Sequence, residues 1–241
     1  MRTHAYTICD RLYAPWLPGW LHWHKDRFDC LHVLILDDAP ELVALCLAAG
    51  ADIIPRPPIN PFVTGFYGTL WEHARQFGLF EWYAVIDVDE VFDIRFHPGA
   101  LAAEIQASGN IYLWAQMIER VPEDLSLRSL PPVPSWFDEF PREVRIHGGI
   151  RLANDWKPVL RRCDMGGLHH LTHKPGRRWH DGRQFKLHHF DWCLEGQRTA
   201  NHKVYDAWRR CRGITGEYQR LVALMERGLS EADMTEHAPT F

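Results

Sequence analysis

Trp82-Tyr83-Ala84-Val85-Ile86-Asp87-Val88-Asp89-Glu90 is the stretch whose reading decides the fold. Its first five residues are apolar without alternation and rich in aromatic and β-branched side chains, which is how a buried strand reads. Three carboxylates follow within four positions, so they emerge together at the carboxyl end of that strand. In open α/β sheets this edge is where ligands bind. Asp87 and Asp89 stand two apart and converge only if the strand gives way to a turn at Val88. If they do, two hard oxygen donors face one point and suit a magnesium or manganese ion that also holds phosphate oxygens. The plainer reading is a solvated acidic turn.

The upstream sequence favours the ligand-binding reading. His4 to Cys9 is a short apolar-leaning strand ending at Asp10. Leu12 to Lys25 places Leu12, Trp16, Trp20, Trp23 and His24 at three- and four-residue spacings, an amphipathic helix whose first half Pro15 and Pro18 turn into a bend. The helix proper is expected from about Pro18. Leu31 to Leu36 is a second strand and ends in Asp37-Asp38. Pro40 to Ala49 reads as a helix with Asp38 as N-cap, Pro40 in its first turn and Gly50 past its end. Asp52 to Pro55 is a third strand, and Phe66 to Phe77 a further helix before the strand that delivers Asp87. Repeated strand–helix alternation gives a parallel sheet with helices on its faces. The expected class is α/β.

A chain of 241 residues with 46% hydrophobic residues can bury a sizeable core. No apolar run approaches about 18 residues, so no transmembrane helix is expected. The first residues lack a signal peptide's charged start and apolar centre. Six cysteines (Cys9, Cys30, Cys46, Cys163, Cys193 and Cys211) include no C-x-x-C pair. Free thiols in a reducing cytoplasm are therefore expected, with no zinc or redox role for them.

Charge is unevenly distributed. Residues 1–140 carry 9 Lys/Arg against 19 Asp/Glu, and residues 141–220 carry 17 against 8. An anionic ligand held between a metal-bearing half and a basic half would account for the split, and so would ordinary pairing across the fold. Nucleic acid is not expected as a partner, because the basic half carries no nucleic-acid motif. That half is rich in histidine: His147, His169, His170, His173, His180, His188, His189 and His202. The H-H-x-x-H run at 169–173 is followed by Lys174-Pro175-Gly176 and lacks the helical register of a zinc-protease motif. Phe185 to Phe190 reads as a strand in which His188 and His189 point to opposite faces. One of them is a candidate third ligand to a metal at Asp87 and Asp89.

Taken together, these motifs resemble the metal-dependent glycosyltransferases of the GT-A fold, most nearly the family 2 and family 92 type. The resemblance rests on WYAVIDVDEVF at 82–92, on LPGWLHWH at 17–24 and on LHVLILDD at 31–38. Downstream it rests on Trp156 to Leu160 and Lys186 to Phe190. It covers residues 1 to about 195, and departs from the family where Ala39-Pro40-Glu41 replaces a small polar turn. It implies a GT-A type, Rossmann-like and mostly parallel sheet, with a smaller His/Arg-rich acceptor half. One catalytic domain would span 1–195, its halves 1–95 and 96–195, and residues 196–241 would form a helical extension, with helices at 204–212 and 218–227.

The same resemblance implies roles. Asp89 would bind Mn2+ or Mg2+, with Asp87 touching the donor ribose or the metal through water, and His188 or His189 completing the sphere. Asp37, Cys9 and Asp10 would line the nucleoside pocket, and Lys157 or Arg161 would pair with phosphate. Asp138 and Glu139, then Asp155, are the candidates for a general base. Trp136 and Phe137 beside those acids would either stack on sugar or cap a loop onto the core. The donor would be a nucleotide sugar and the acceptor a glycan, lipid-linked or protein hydroxyl, with peripheral membrane contact left open. Two rival readings stand beside this one. Asp87-Val88-Asp89-Glu90-Val91 also fits the nucleophile motif of haloacid-dehalogenase-like phosphatases, in which Asp87 would attack phosphorus. A degenerate, non-catalytic binding module is the other.

Overall fold

The computed structural model describes residues 1–56, 63–94, 97–146, 156–164, 179–190, 192–193 and 227–236. The chain divides into two compact units, one of Met1–Gln116 with Trp156–Leu187, the other of Met117–Asp155 with His188–Phe241. The chain thus leaves the first unit and returns to it, whereas the sequence led to boundaries at 95 and 195. Strand pairing explains the difference, because β8 (Trp156–Arg162) joins the first unit's sheet beside a strand more than 70 residues upstream. The helices expected at 204–212 and 218–227 lie outside the described residues, apart from Arg227.

The first unit is mixed α/β. Strands β1 (Thr3–Cys9), β2 (Cys30–Ile35), β3 (Asp52–Ile54) and β4 (Trp82–Val85) are parallel in the order β4-β1-β2-β3. β8 adds antiparallel to β4, with Ala84 opposite Leu160, and the first half of β6 (Tyr112–Val121) adds antiparallel to β8. Helices α1 (Leu17–His24), α2 (Pro40–Ala48), α3 (Val63–Ala74) and α4 (Pro98–Ala107) lie between strands in the chain. The centre of the sheet is dry: Tyr6, Leu34, Ile54, Leu70, Tyr83 and Val85 form one buried cluster. Such burial contributes about 25 cal/mol for each Å² of apolar surface removed from water. In the second unit the last residues of β6 pair with β7 (Arg142–Ile146), which pairs with β10 (Met234–Glu236).

Local sequence explains most of these elements. Pro15 and Pro18 confine the start of the first helical region to a 3-10 turn at Ala14–Trp16, and α1 begins at Leu17. Its buried residues are Leu17, Gly19, Trp20, Leu21 and His24, whereas Leu12, expected on the same apolar face, is exposed. α2 ends as its sequence requires. Gly50 takes a φ of 77°, Ala51 N–H bonds the Cys46 carbonyl at 2.9 Å, and Gly50 N–H bonds Leu47 at 3.0 Å. Its start differs from expectation, because Ala39 and not Asp38 is the N-cap and no side chain caps it. Pro40 at the first helical position has no N–H, which lowers the demand for a cap.

Two side chains of α1 reach the segments on either side of Asp87–Asp89. The Trp20 indole donates to the Ile86 carbonyl at 3.2 Å. His24 donates from Nδ1 to the Trp20 carbonyl at 2.8 Å, and its Nε2 accepts the Phe92 N–H at 3.3 Å. Those two contacts fix a neutral tautomer in a fully buried ring. Burial above all, with the Arg27 charge adding to it, pulls the pKa of His24 down to about 3 from 6.5. The folded value lies below the unfolded one, so the unfolded chain takes up the extra proton as pH falls from 6.5 towards 3. The stability due to a neutral His24 is fully present above that window and declines within it by about 1.4 kcal/mol per pH unit. Urea unfolding from pH 7 to 4.5 should show a shallower decline in His24→Gln than in the wild type, and equal slopes would remove His24 from the account.

Candidate functional site

β4 ends at Val85, and the acids follow it in a turn rather than a continued strand. Ile86 N–H still bonds the Tyr6 carbonyl of β1 at 3.0 Å. Asp87 to Glu90 is then a four-residue turn closed by Glu90 N–H on the Asp87 carbonyl at 2.9 Å, after which β5 (Glu90–Asp93) begins. The Glu90 carboxylate folds back across the turn and accepts the Asp87 N–H at 2.9 Å. Glu90 is fully buried and Asp89 nearly so, while the Asp87 side chain keeps 20% of its surface.

The cation for this turn comes from β8. β8 pairs with β4 as far as Ala84 and Leu160, and its earlier residues lie against the turn. Lys157, wholly buried, places its ammonium 2.6 Å from Glu90 Oε2 and 3.0 Å from Asp87 Oδ2. The other Asp87 oxygen accepts the Tyr67 hydroxyl at 2.9 Å. Burial, reinforced by the charges of Asp87, Glu90 and Asp89, raises the Tyr67 pKa well above its ordinary value, so the hydroxyl stays a donor. Lys157, expected on phosphate, is here the counter-ion of the acid turn. Arg161, expected beside it, is four residues away along β8. It is buried opposite Tyr83, with its guanidinium carbon 5.3 Å from that ring and one N–H on the Pro158 carbonyl at 3.0 Å.

The other predicted residues of the first unit line the ends of adjacent strands. Cys9 is the last residue of β1 and is buried, and burial pushes its thiol pKa far up. Asp10 caps the next turn by accepting the Tyr13 N–H at 3.0 Å. Asp37 is exposed after β2 and accepts the Arg11 N–H at 2.7 Å, while the Arg11 side chain bonds the Asp38 carbonyl. Arg56, after β3, donates to the Leu36 carbonyl at 2.6 Å. Sequence reasoning missed Glu90's buried role, Tyr67, and these two exposed arginines. A basic residue two positions past a strand's carboxyl end was the available signal for Arg11 and Arg56.

His188, His189, Asp138 and Glu139 belong to the second unit, and the two histidines have partners there. Glu119 and Arg120, adjacent on β6, face opposite ways, as do His188 and His189 on β9 (Trp179–His189). Arg120 Nε donates to His188 Nδ1 at 3.0 Å, and His189 Nδ1 meets Glu119 at 2.7 Å, with the Trp192 indole on the same carboxylate oxygen. Arg120 also bonds Glu143 and the Pro141 carbonyl and lies over Phe137. Asp138 and Glu139 are exposed on α5 (Trp136–Glu139). Trp136 is fully buried against Phe190 and donates to the Pro131 carbonyl, so it caps the core and cannot stack on a sugar. Asp155, His147, His169, His170, His173 and His202 lie outside the described residues. No described helix is long and apolar enough to cross a membrane.

No known family profile matches the chain, and no curated protein matches it in sequence. Among solved structures, residues 1–349 of S. aureus TarS align over 94% of this chain and 71% of that one, at 11% identity and a TM-score of 0.46. The same fragment in complex with UDP-GlcNAc aligns over 94% and 72%, at 10% identity and 0.43. Glucosyl-3-phosphoglycerate synthase from Mycobacterium tuberculosis aligns over 52% of this chain and 46% of its own, at 16% identity and 0.34.

Removing the Lys157 ammonium while leaving its two carboxylates in place should be costly. Breaking one side of a buried ion pair costs about 3–5 kcal/mol. Lys157→Met is therefore expected to lower the urea midpoint strongly, and Lys157→Met with Glu90→Gln should recover part of the loss. A single variant as stable as the wild type would show that the ammonium is not needed to hold the turn.

Proposed function

We propose that the chain is a nucleotide-diphosphate-sugar transferase of GT-A architecture that works with a divalent metal. The observation that carries this reading is positional. Asp10, Asp37 and the Asp87–Glu90 turn follow the carboxyl ends of β1, β2 and β4, three neighbouring strands of a parallel sheet. Ligands of open α/β sheets bind at that edge. In this reading Asp37 and Asp10 contact the nucleoside, and the exposed Arg11 and Arg56 face the diphosphate.

Among the acids of the turn, Asp89 suits manganese or magnesium, which take carboxylate oxygens. Asp87 suits direct coordination poorly, because Tyr67 and Lys157 each engage one of its oxygens and an ammonium 3.0 Å away repels a second cation. Asp87 is therefore assigned to the donor ribose, or to a water between itself and the metal. When bound, the metal compensates the charge of the departing nucleoside diphosphate. Lys157 and Glu90 hold the turn so that Asp89 keeps its place without rearrangement. The phosphatase alternative needs its nucleophile after the first strand of the domain, and Asp87 follows the fourth.

A screen of nucleotide sugars with manganese should reveal release of a nucleoside diphosphate. Asp89→Asn should lower kcat by at least about 100-fold, in line with the several kcal/mol a Lewis-acid metal supplies. Its unfolding midpoint should remain close to the wild type's. Turnover of simple phosphomonoesters that disappears in Asp87→Asn would overturn the reading.

A further inference from the structure

At the amino-terminal end of the same sheet, away from the acid turn, strand register gathers a different set of ligands. His4 of β1 stands opposite Cys30 of β2, Tyr6 stands opposite His32, and His32 stands opposite Asp52 of β3. With a side-chain period of two, His4, Cys30 and His32 share one face. A ligand atom from each lies within 4.8 Å of the other two. His4 and His32 are buried, while Cys30 and the exposed Asp52 lead to the surface.

With both rings neutral, the hydrogen bonds of this cluster do not close. His4 Nε2 meets the Glu81 carboxylate, so that nitrogen carries the proton and Nδ1 is a lone pair. His4 Nδ1 lies 2.9 Å from His32 Nε2, which must then carry the proton of that link. His32 Nδ1 is left as a lone pair, and it faces the Asp52 carboxylate at 3.5 Å. That nitrogen is buried and has no hydrogen-bond partner among the described residues. With both rings neutral, the chain of groups is one positive charge short, a charge that a proton or a metal ion can supply.

We propose that His4 Nδ1, His32 Nε2 and the Cys30 thiolate bind a zinc-type transition-metal ion. The metal replaces the proton between the two rings. Both outer nitrogens then carry protons, His4 towards Glu81 and His32 towards Asp52, which is the carboxylate–histidine–metal arrangement that orients ligating imidazoles. Tetrahedral zinc at about 2.0–2.1 Å from nitrogen sets ligand nitrogens about 3.3–3.4 Å apart, so the 2.9 Å contact opens by a few tenths of an ångström. Binding releases the Cys30 proton. Three protein ligands leave one tetrahedral position for water. Cys30 thus has a role that its lack of a C-x-x-C partner concealed.

The test uses the full chain, stripped with a chelator and titrated with cobalt(II), which reports geometry and sulfur ligation by absorption. One equivalent should give tetrahedral bands and a thiolate charge-transfer band, both displaced by zinc. Cys30→Ser, at a partly exposed position, should lose the charge-transfer band. Glu81→Gln, which touches no metal, should weaken binding about 10–100-fold. Asp89→Asn should leave the spectrum unchanged, which separates this site from the metal assigned to the acid turn. The absence of a tetrahedral spectrum, a charge-transfer band surviving in Cys30→Ser, unchanged affinity in Glu81→Gln, or loss of the spectrum in Asp89→Asn would each overturn the proposal.

Discussion

The first unit depends on one buried ammonium. Lys157 is shared by Glu90 and Asp87, which stand at the two ends of a four-residue turn, and Glu90 also holds the Asp87 backbone. Burying a charge is tolerable only where partners and hydrogen bonds are already in place. That condition ties together elements remote in the chain: the turn after β4 and the start of β5 supply the acids, α3 supplies Tyr67, and β8 supplies the lysine. It also explains why β8 must return to the sheet in one register. A slip by one residue would turn Lys157 to the opposite face and leave two carboxylates without it.

The second unit uses the same device with a different cation. Arg120 is directed at His188, Glu143, the Pro141 carbonyl and the face of Phe137, a set only a planar, forked guanidinium can serve at once. His189, on the opposite face, is held by Glu119 together with Trp192. In both units a buried charged residue on a strand is stabilised by groups from elsewhere in the chain. The strongly basic stretch from 141 onward therefore reflects, in its described part, pairing within the fold: Lys157 serves the acid turn, and Arg142 bridges Glu231 and Glu236. Charge counts along a sequence cannot distinguish such pairing from a ligand-facing surface.

The amino-terminal cluster of the sheet repeats the lesson on a smaller scale. His4, Cys30 and His32 carry no spacing that would mark them as ligands, since 26 residues separate the first from the second. Parallel pairing of β1 with β2 removes that separation and sets the residues side by side. The histidines that attracted attention in sequence were the dense downstream ones.

The strands β1 to β4, the helices between them and the acids at the carboxyl end of β4 were legible from the sequence. Each is written locally, in apolar runs, in the prolines that start α1 and α2, and in the glycine that ends α2. The break at Val88 was required for the acids to come together, and the turn there bears that condition out. Local pattern could not tell which basic residue answers the acids. Both Lys157 and Arg161 were candidates in sequence, and only the packing of β8 against β4 brings the first to Asp87 and sets the second opposite Tyr83. Nor could it show that Trp136 is core, that Ala39 replaces Asp38 as the cap of α2, or that the chain leaves and re-enters its first unit. Periodicity and capping act over a few residues and are fixed by the neighbours in the chain. The partner of a buried charge is chosen across the sheet, where strand pairing rather than chain distance decides which groups meet.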